Sequence, residues 1–347
     1  MDKNKIVGRW LLLGVLMLMV QVLLGGITRL TGSGLSITEW KPLLGALPPM
    51  NDASWLLLFE KYKQIAQYKF LNQDFSLSDF KFIFFWEWFH RNWARLISVV
   101  FLIPFFYFLI KKIITKEMVP KLIALFLLGI GQGLIGWIMV ASGLNDENLY
   151  VSHIRLAIHF ISALVLIGFT FWFALSLLVS DTSLVKNNSI KQYTIFILIL
   201  IGLQLIYGAF MAGLKAANVA PTWPSINGEY FPSDLLTQNF VHHPINIHFV
   251  HRMLAYIIFI LIIIWHFKAS RISISETFSK YKNLPLILVC LQIILGILSV
   301  LYSSKIVRNG FGLFEYFAIF HQIVAMCLVM TFIGFLYLLK AKQNPIK

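Results

Sequence analysis

The stretch FFWEWFHRNWARLISVVFLIPFFYFLI, residues 84–110, decides the fold class of this chain. Its second half, Leu96–Ile110, has no charged side chain, but it is shorter than the ~20 residues with which a helix crosses a bilayer. The helix becomes long enough only if it begins several residues earlier, at His90 and Arg91. The stretch therefore predicts a membrane-spanning helix that carries a glutamate, Glu87, a histidine and two arginines at one end. Ionisable groups in such a position are candidates for function.

The rest of the chain has the composition of a membrane protein. Of its 347 residues, 59% are hydrophobic and 13% are charged, a balance unlike that of a soluble domain. A second short run, Met253–Phe267, follows another His-Arg pair, and six uncharged runs are long enough to span. These six are Trp10–Thr28, Leu122–Asn145, Leu156–Ser180, Gln192–Leu214, Asn283–Ser304 and Tyr316–Leu339. The sequence thus predicts an all-α integral membrane protein with eight transmembrane helices, the first of which is retained because it is too long for the hydrophobic region of a signal peptide.

The net charge of +14 follows the predicted topology. The five segments on the side of the N-terminus hold 16 Lys and Arg against 4 Asp and Glu, whereas the remaining chain is nearly balanced. This positive-inside bias places both termini in the cytoplasm, and it argues against a surface for nucleic acid.

The two cysteines, Cys290 and Cys327, lie inside apolar runs, which excludes a disulfide framework and a Cys-x-x-Cys site.

The eight spans form a repeat of four. Each odd-numbered span carries Gln-x-x-x-Gly, and each even-numbered span carries a histidine near its outer end. The motifs are Gln21/Gly25, Gln132/Gly136, Gln204/Gly208 and Gln292/Gly296, and the histidines are His90, His159, His251 and His321. Three offsets between the halves are 160–162 residues, and the first, 183, is longer because a longer outer loop follows it. We expect two four-helix bundles, residues 1–191 and 192–347, related by a pseudo-twofold axis. The Gln-x-x-x-Gly motif is interpreted as helix packing.

The four span histidines predict a haem protein. Two imidazoles per half are the number that the two axial positions of one haem iron need, and facing helices can clamp a porphyrin between them. The other five histidines need only a loop or interfacial position. They are His153, His242, His243 and His248, in or beside outer loops, and His266 at the inner end of its span.

Cations near the histidines suit the haem propionates. Arginine binds carboxylates through two parallel hydrogen bonds, and the candidates are Arg91, Arg95, Arg155 and Arg252. Interfacial anchoring of these arginines stays open as an alternative.

Glu87 lies one turn from His90 on the same helix face, whereas the equivalent position of the second half is His248. This asymmetry predicts a specialised first half, although a salt bridge to Arg91 or Arg95 is also open for Glu87.

The motifs, taken in order, resemble the haem A synthases of bacterial and mitochondrial inner membranes. The loop GGITRLTGSGLSITEWKPLLGALPP, residues 25–49, is similar to the first outer loop of that family, and EWFHR, residues 87–91, is similar to its Glu-x-x-His-Arg motif. LAIHF, HFVHR and FHQ carry the other three histidines in the family order. The resemblance covers nearly the whole chain. The cysteine pair of some bacterial members is absent, as in the proteobacterial and mitochondrial branch.

The resemblance implies an activity and a role for each site residue. The family oxidises the methyl group at position 8 of haem O to a formyl group and so supplies haem A to cytochrome c oxidase. It implies that Glu87 is catalytic, that His90 and His159 bind the substrate haem, and that His251 and His321 bind a haem b cofactor. It implies a bacterial inner membrane, or the mitochondrial one in a eukaryote, with haem O synthase and cytochrome c oxidase assembly factors as partners.

Two other functions compete with this one. A two-haem b-type cytochrome that only transfers electrons would also use four histidines, but it would leave Glu87 unexplained. A transporter would suit a parallel repeat, but no span is visibly broken near the middle of the membrane. A homo-oligomer is also left open.

Overall fold

The computed structural model describes residues 2–39, 44–145, 147–272, 275–307 and 310–340. Part of the loop motif, residues 40–43, and the C-terminal residues 341–347, on which the predicted cytoplasmic C-terminus depends, lie outside these ranges. Among the described residues the regular structure is helical, with no strand. The helices are α1 Lys3–Leu30, α2 Asp52–Tyr62, α3 Ala66–Leu71, α4 Leu77–Ile110, α5 Val119–Ala141, α6 His153–Leu178, α7 Asn188–Gly213, α8 Ala216–Val219, α9 Pro244–Ser270, α10 Glu276–Tyr281, α11 Leu284–Leu301 and α12 Leu313–Leu338.

Eight of these helices, with α10 and α11 taken together, are long and apolar enough to cross a membrane. The prediction of eight spans is therefore confirmed. An α-helix suits the bilayer because it pairs its own backbone groups, which lipid cannot do. The helices that contain the two short apolar runs do begin before the runs, since α4 starts at Leu77 and α9 at Pro244.

Helix α4 extends well beyond the bilayer on the side of the first outer loop. Its 34 residues span about 51 Å at a rise of 1.5 Å per residue, against an apolar bilayer core of about 30 Å. Ser76 and Asp79 form a capping box at its start, which satisfies free backbone N–H groups. Phe80, in the extension, is fully buried and stacks on Phe59 of α2 with the ring centres 5.1 Å apart. The first outer loop is thus a folded unit over the membrane helices.

The spans pack within each half and across the middle of the molecule. In the N-terminal half, α1 packs against α4 and α6, and α6 packs against α5. In the C-terminal half, α7 packs against α9 and α12, and α11 packs against both of them. Helices α1 and α6 contact α12, and α6 also contacts α7. Gln322 of α12 donates to the carbonyl of Val22 on α1 at 2.7 Å, so the two halves are joined by a hydrogen bond inside the membrane.

The position predicted for His248 was wrong. We expected a loop or interfacial residue, but His248 is 1% exposed and lies in the second turn of α9. The predicted start of this helix was too late because the polar residues before Phe249 resemble a loop. Pro244 in fact occupies its first turn, where a missing N–H is tolerated.

Trp265 of α9 is the largest fully buried side chain of the central core. Its indole N–H donates to Thr194 Oγ1 at 2.9 Å, and its ring contacts Phe332 and Phe335 of α12. The apolar contacts and the hydrogen bond join three helices of the C-terminal half.

We predict that Trp265→Ala lowers the free energy of unfolding by about 3–5 kcal/mol, because it leaves a large cavity in the core. The matched control is Phe267→Ala on the same helix, where the side chain is 65% exposed and the expected change is small. Thermal unfolding of both variants in mild detergent measures the difference. Equal melting temperatures would contradict the packing described here.

Candidate functional site

One cavity of about 1340 Å³ is lined by residues from all eight spanning helices. It contains the four span histidines, the four glutamines of the repeated motif and Glu87, and most of its remaining lining is apolar. Residues of both outer loop regions, such as Asn72 and Trp223, also line it. The structure therefore brings the sequence-predicted ligands of both halves to one apolar space.

Each histidine ring lies against the glycine of the preceding Gln-x-x-x-Gly motif. A Cβ built on these glycines would lie 3.4 Å from His90 at Gly25, 2.8 Å from His159 at Gly136, 3.3 Å from His251 at Gly208 and 3.0 Å from His321 at Gly296. Three of these distances are tighter than ordinary van der Waals contact. A side chain at these positions would therefore push on the ring, and glycine leaves room for it.

The glutamines of the same motif contact the same histidines. Gln132 donates to both Nδ1 and the carbonyl of His159, at 3.1 and 2.8 Å. Gln21 donates to the carbonyl of His90 at 3.2 Å. The glutamine amides also lie beside Nε2 in the other two pairs, at 3.4 Å between Gln204 and His251 and 3.1 Å between Gln292 and His321.

The interpretation of Gln-x-x-x-Gly as helix packing alone missed this relation. The signal was present in the sequence, since every motif precedes a histidine-bearing span, but only the packed helices show which side chains meet. We infer that the motif positions the imidazoles.

The second-half histidines fit an iron porphyrin. Nδ1 of His321 donates to the carbonyl of Gln292 at 3.0 Å, which leaves the Nε2 lone pair as the candidate metal ligand. The ring centres of His251 and His321 are 6.4 Å apart. Two imidazoles at this separation would be able to hold one iron porphyrin between them. An iron bound there would replace the contact between Gln292 and His321 Nε2.

Glu87 is buried, 2% exposed, and lines the cavity one turn from His90. Its Oε1 accepts from Arg91 at 2.6 Å, and its Oε2 accepts from Ser36 Oγ at 2.7 Å and from the backbone N–H of Ile37 at 2.8 Å. The salt bridge to Arg91 that the sequence left open is therefore present. Three donors fix the carboxylate in one position.

Arg91 and Arg252 both hold an outer loop. Arg91 donates to the carbonyls of Ile37 and Glu39 in the first loop. Arg252 donates to the carbonyls of Thr222, Pro224 and Ser225 in the second loop, and to Nε2 of His248, at 2.7–3.1 Å. Glu87 in one half and His248 in the other thus each pair with the arginine that follows four residues later.

The remaining predicted cations differ in their positions. Arg95 lines the cavity and donates to Asn92. Arg155 is exposed and donates to the carbonyl of Ile138, so it lies apart from the cavity lining. Two cavity cations were missed: Arg29, which donates to the carbonyl of Ala212, and Lys215, which donates to the hydroxyl of Tyr150 at 2.8 Å. Both follow motif glycines closely in the sequence, but nothing there shows that they face inward.

The chain is similar to known proteins along most of its length. The profile of the COX15-CtaA family, described as cytochrome oxidase assembly protein, matches residues 8–342. The heme A synthase of Flavobacterium johnsoniae is 38% identical over 94% of this chain and 96% of its own. The heme A synthases of Parvibaculum lavamentivorans and Paracoccus denitrificans are 43% and 37% identical, over 78% and 86% of this chain and 79% and 80% of their own.

We predict that Gly136→Ala displaces the His159 ring and weakens the binding of an added iron porphyrin by at least about tenfold, because a shift of about 1 Å is enough to disrupt a positioned group. Gly131→Ala is the matched control, since open space surrounds a Cβ at that position of the same helix. Titration followed by visible absorbance measures both variants. Equal binding by the two would contradict a positioning role for the motif glycine.

Proposed function

This chain belongs to the COX15-CtaA family of cytochrome oxidase assembly proteins, and from this premise we propose how its cavity works. The protein is a haem A synthase, a multi-pass membrane oxidoreductase that oxidises the C8 methyl group of haem O to a formyl group. The observation that carries the proposal is the cavity itself, which is lined by four positioned histidines and by one buried acid, Glu87, beside His90.

We propose that the N-terminal half holds the substrate. His90 and His159 would bind the haem O iron, and Glu87 would lie beside the reacting edge of the porphyrin. The asymmetry between the halves supports this assignment, because the position equivalent to Glu87 is His248, which pairs with Arg252 but carries no fixed negative charge.

The C-terminal half would hold a haem b cofactor through His251 and His321. The ring separation of 6.4 Å and the tautomer of His321 support a bis-imidazole site. When bound, this haem supplies electron transfer to and from the substrate site. The protein contributes ligation, orientation and local charge. The two halves, residues 1–191 and 192–347, would be related by a pseudo-twofold axis, which the matching Gly–His contacts support.

Glu87 would stabilise positive charge that develops at the oxidised carbon. Its carboxylate is desolvated, so a nearby charge interacts with it more strongly than in water. Arg91, Ser36 and Ile37 hold it as an acceptor, which favours a fixed electrostatic role over proton transfer. Arg91 is a positioning residue, since it orients the carboxylate and ties it to the outer loop.

Propionate binding falls to the cations that line the cavity. The candidates that line the cavity are Arg91, Arg95 and Arg252, which were predicted, and Arg29 and Lys215, which were not. The guanidinium groups of Arg91 and Arg252 also hold loop carbonyls. Arg155 would need another rotamer to reach the cavity, because its side chain donates to Ile138.

A bacterial inner membrane location, with the termini in the cytoplasm, completes the proposal. The charge bias of 16 Lys and Arg against 4 Asp and Glu on the side of the N-terminus supports this orientation. The cavity and its histidines then lie toward the outer face.

The function is tested with purified protein in mild detergent that is supplied with haem O and a reductant in aerated buffer, so that dioxygen is present as the oxidant. Extraction of the haems, followed by chromatography and mass determination, should give haem A or its hydroxylated precursor in addition to haem b. Haem b with only unconverted haem O after this treatment would favour a protein that only transfers electrons.

Glu87→Gln should retain bound haem but lower the rate of haem A formation by about 10²-fold or more, because a positioned charge is lost in a desolvated site. The matched control is Ser36→Ala, which removes one donor and leaves the carboxylate, so its rate should fall by less than about tenfold. A Glu87→Gln enzyme with the full rate would contradict the assigned role.

His251→Ala and His321→Ala should each remove the proposed haem b, since one of the two imidazoles that would hold it is lost. His266→Ala on the same helix as His251 is the control and should keep it. The haem content per protein, measured as the pyridine haemochrome, decides this. Retention of haem b in both ligand variants would place the cofactor elsewhere.

A further inference from the structure

The cavity opens sideways to the surface between α4 and α5. Val99 of α4 and Ile130 of α5 both line it, yet 49% of Val99 and 55% of Ile130 are exposed. Both residues lie in apolar spanning segments. The opening therefore faces the lipid rather than the aqueous side.

The packing of these two helices differs from that of their counterparts. Among the described residues, the closely packed helix pairs include α9 with α11 but not α4 with α5. No residue of α4 from Trp88 to Ile110 is buried, whereas Ile258 and Ile262 of α9 are 4% and 0% exposed. The gap is closed at its inner end, where Phe101 and Phe126 stack with ring centres 6.0 Å apart.

Two glycines of α5 leave the gap open. Gly129 and Gly133 line the cavity and are exposed, and a Cβ at either would have no atom within 4 Å. The offset of 160 residues between Gln132 and Gln292 makes Val289 and Ile293 their counterparts in α11. Val289 is 3% exposed. The C-terminal half thus fills with side chains the space that the N-terminal half leaves empty.

We propose that this α4/α5 slot, formed by Ile97, Phe101, Phe126, Gly129 and Gly133, holds the isoprenoid tail of the substrate haem. The inference rests on the proposed assignment of haem O to the N-terminal half. Haem O carries a long apolar tail and haem b carries none, which matches the open slot in one half and the filled seam in the other. From His90 to Phe101 the slot runs about 16 Å along α4 at 1.5 Å per residue, and its lining is apolar.

The test is Gly129→Val together with Gly133→Ile, which gives α5 the side chains of α11. Because both positions face open space and glycine is a poor helix former, the helix should form normally. The holoenzyme with its resident haem is titrated with haem O and, separately, with tail-free iron protoporphyrin IX, and the second bound equivalent is followed by absorbance. We expect haem O affinity to fall at least about tenfold, because buried methylene groups of the tail lose their contacts, with the affinity for the tail-free haem unchanged.

Gly131→Val is the matched control. It makes the same kind of substitution on the same helix, and Gly131 faces a groove beside α6 instead of the slot. Three results would contradict the slot but leave the proposed function intact. They are an unchanged haem O affinity in the double variant, an equal loss of affinity for both haems, and an equal loss of haem O affinity in Gly131→Val. A wild-type protein that converts no haem O would overturn the proposed function, and the slot with it.

Discussion

The contact between a glycine backbone and a histidine ring, made in all four of the repeated motifs, is the constraint on which the site depends. Polar groups within a bilayer must find partners in the protein, and an imidazole kept available for a metal cannot be fully satisfied by other side chains. Gly136 and its three counterparts let the ring lie against a neighbouring helix. The glutamine one turn earlier holds the histidine through its amide. The ring is thereby held in one position at the wall of the cavity.

The outer loops are part of the same arrangement. Arg91 and Arg252 follow their histidines directly, and each donates to several loop carbonyls. Arg252, which is buried, and Arg91, which is partly buried, fix the loops over the cavity, since an unpaired carbonyl or guanidinium there would be costly. The partner of each arginine four residues earlier differs between the halves, and this one difference, Glu87 against His248, places negative charge beside His90 alone.

The second difference between the halves is packing. Where α11 has Val289 and Ile293, α5 has Gly129 and Gly133, and the N-terminal cavity extends toward the lipid. The N-terminal half thus differs from the C-terminal half in two ways, by its buried acid and by its open packing. The half with the acid is also the half with room for a larger, tailed ligand, which agrees with the proposed division into substrate and cofactor sites.

The membrane class, the eight spans, the charge bias and the four histidines follow from the sequence alone, because they depend on local composition and spacing. The sequence also singled out Glu87, since an acid near the end of an apolar helix stands out. It did not reveal the burial of His248, the cavity positions of Arg29 and Lys215, or the fact that each Gln-x-x-x-Gly serves a histidine. These were decided by the tertiary structure, because they depend on which helix faces which. The gap between α4 and α5 is of the same kind: its glycines are visible in the sequence, but only the packed helices show that no described residue fills the space beside them.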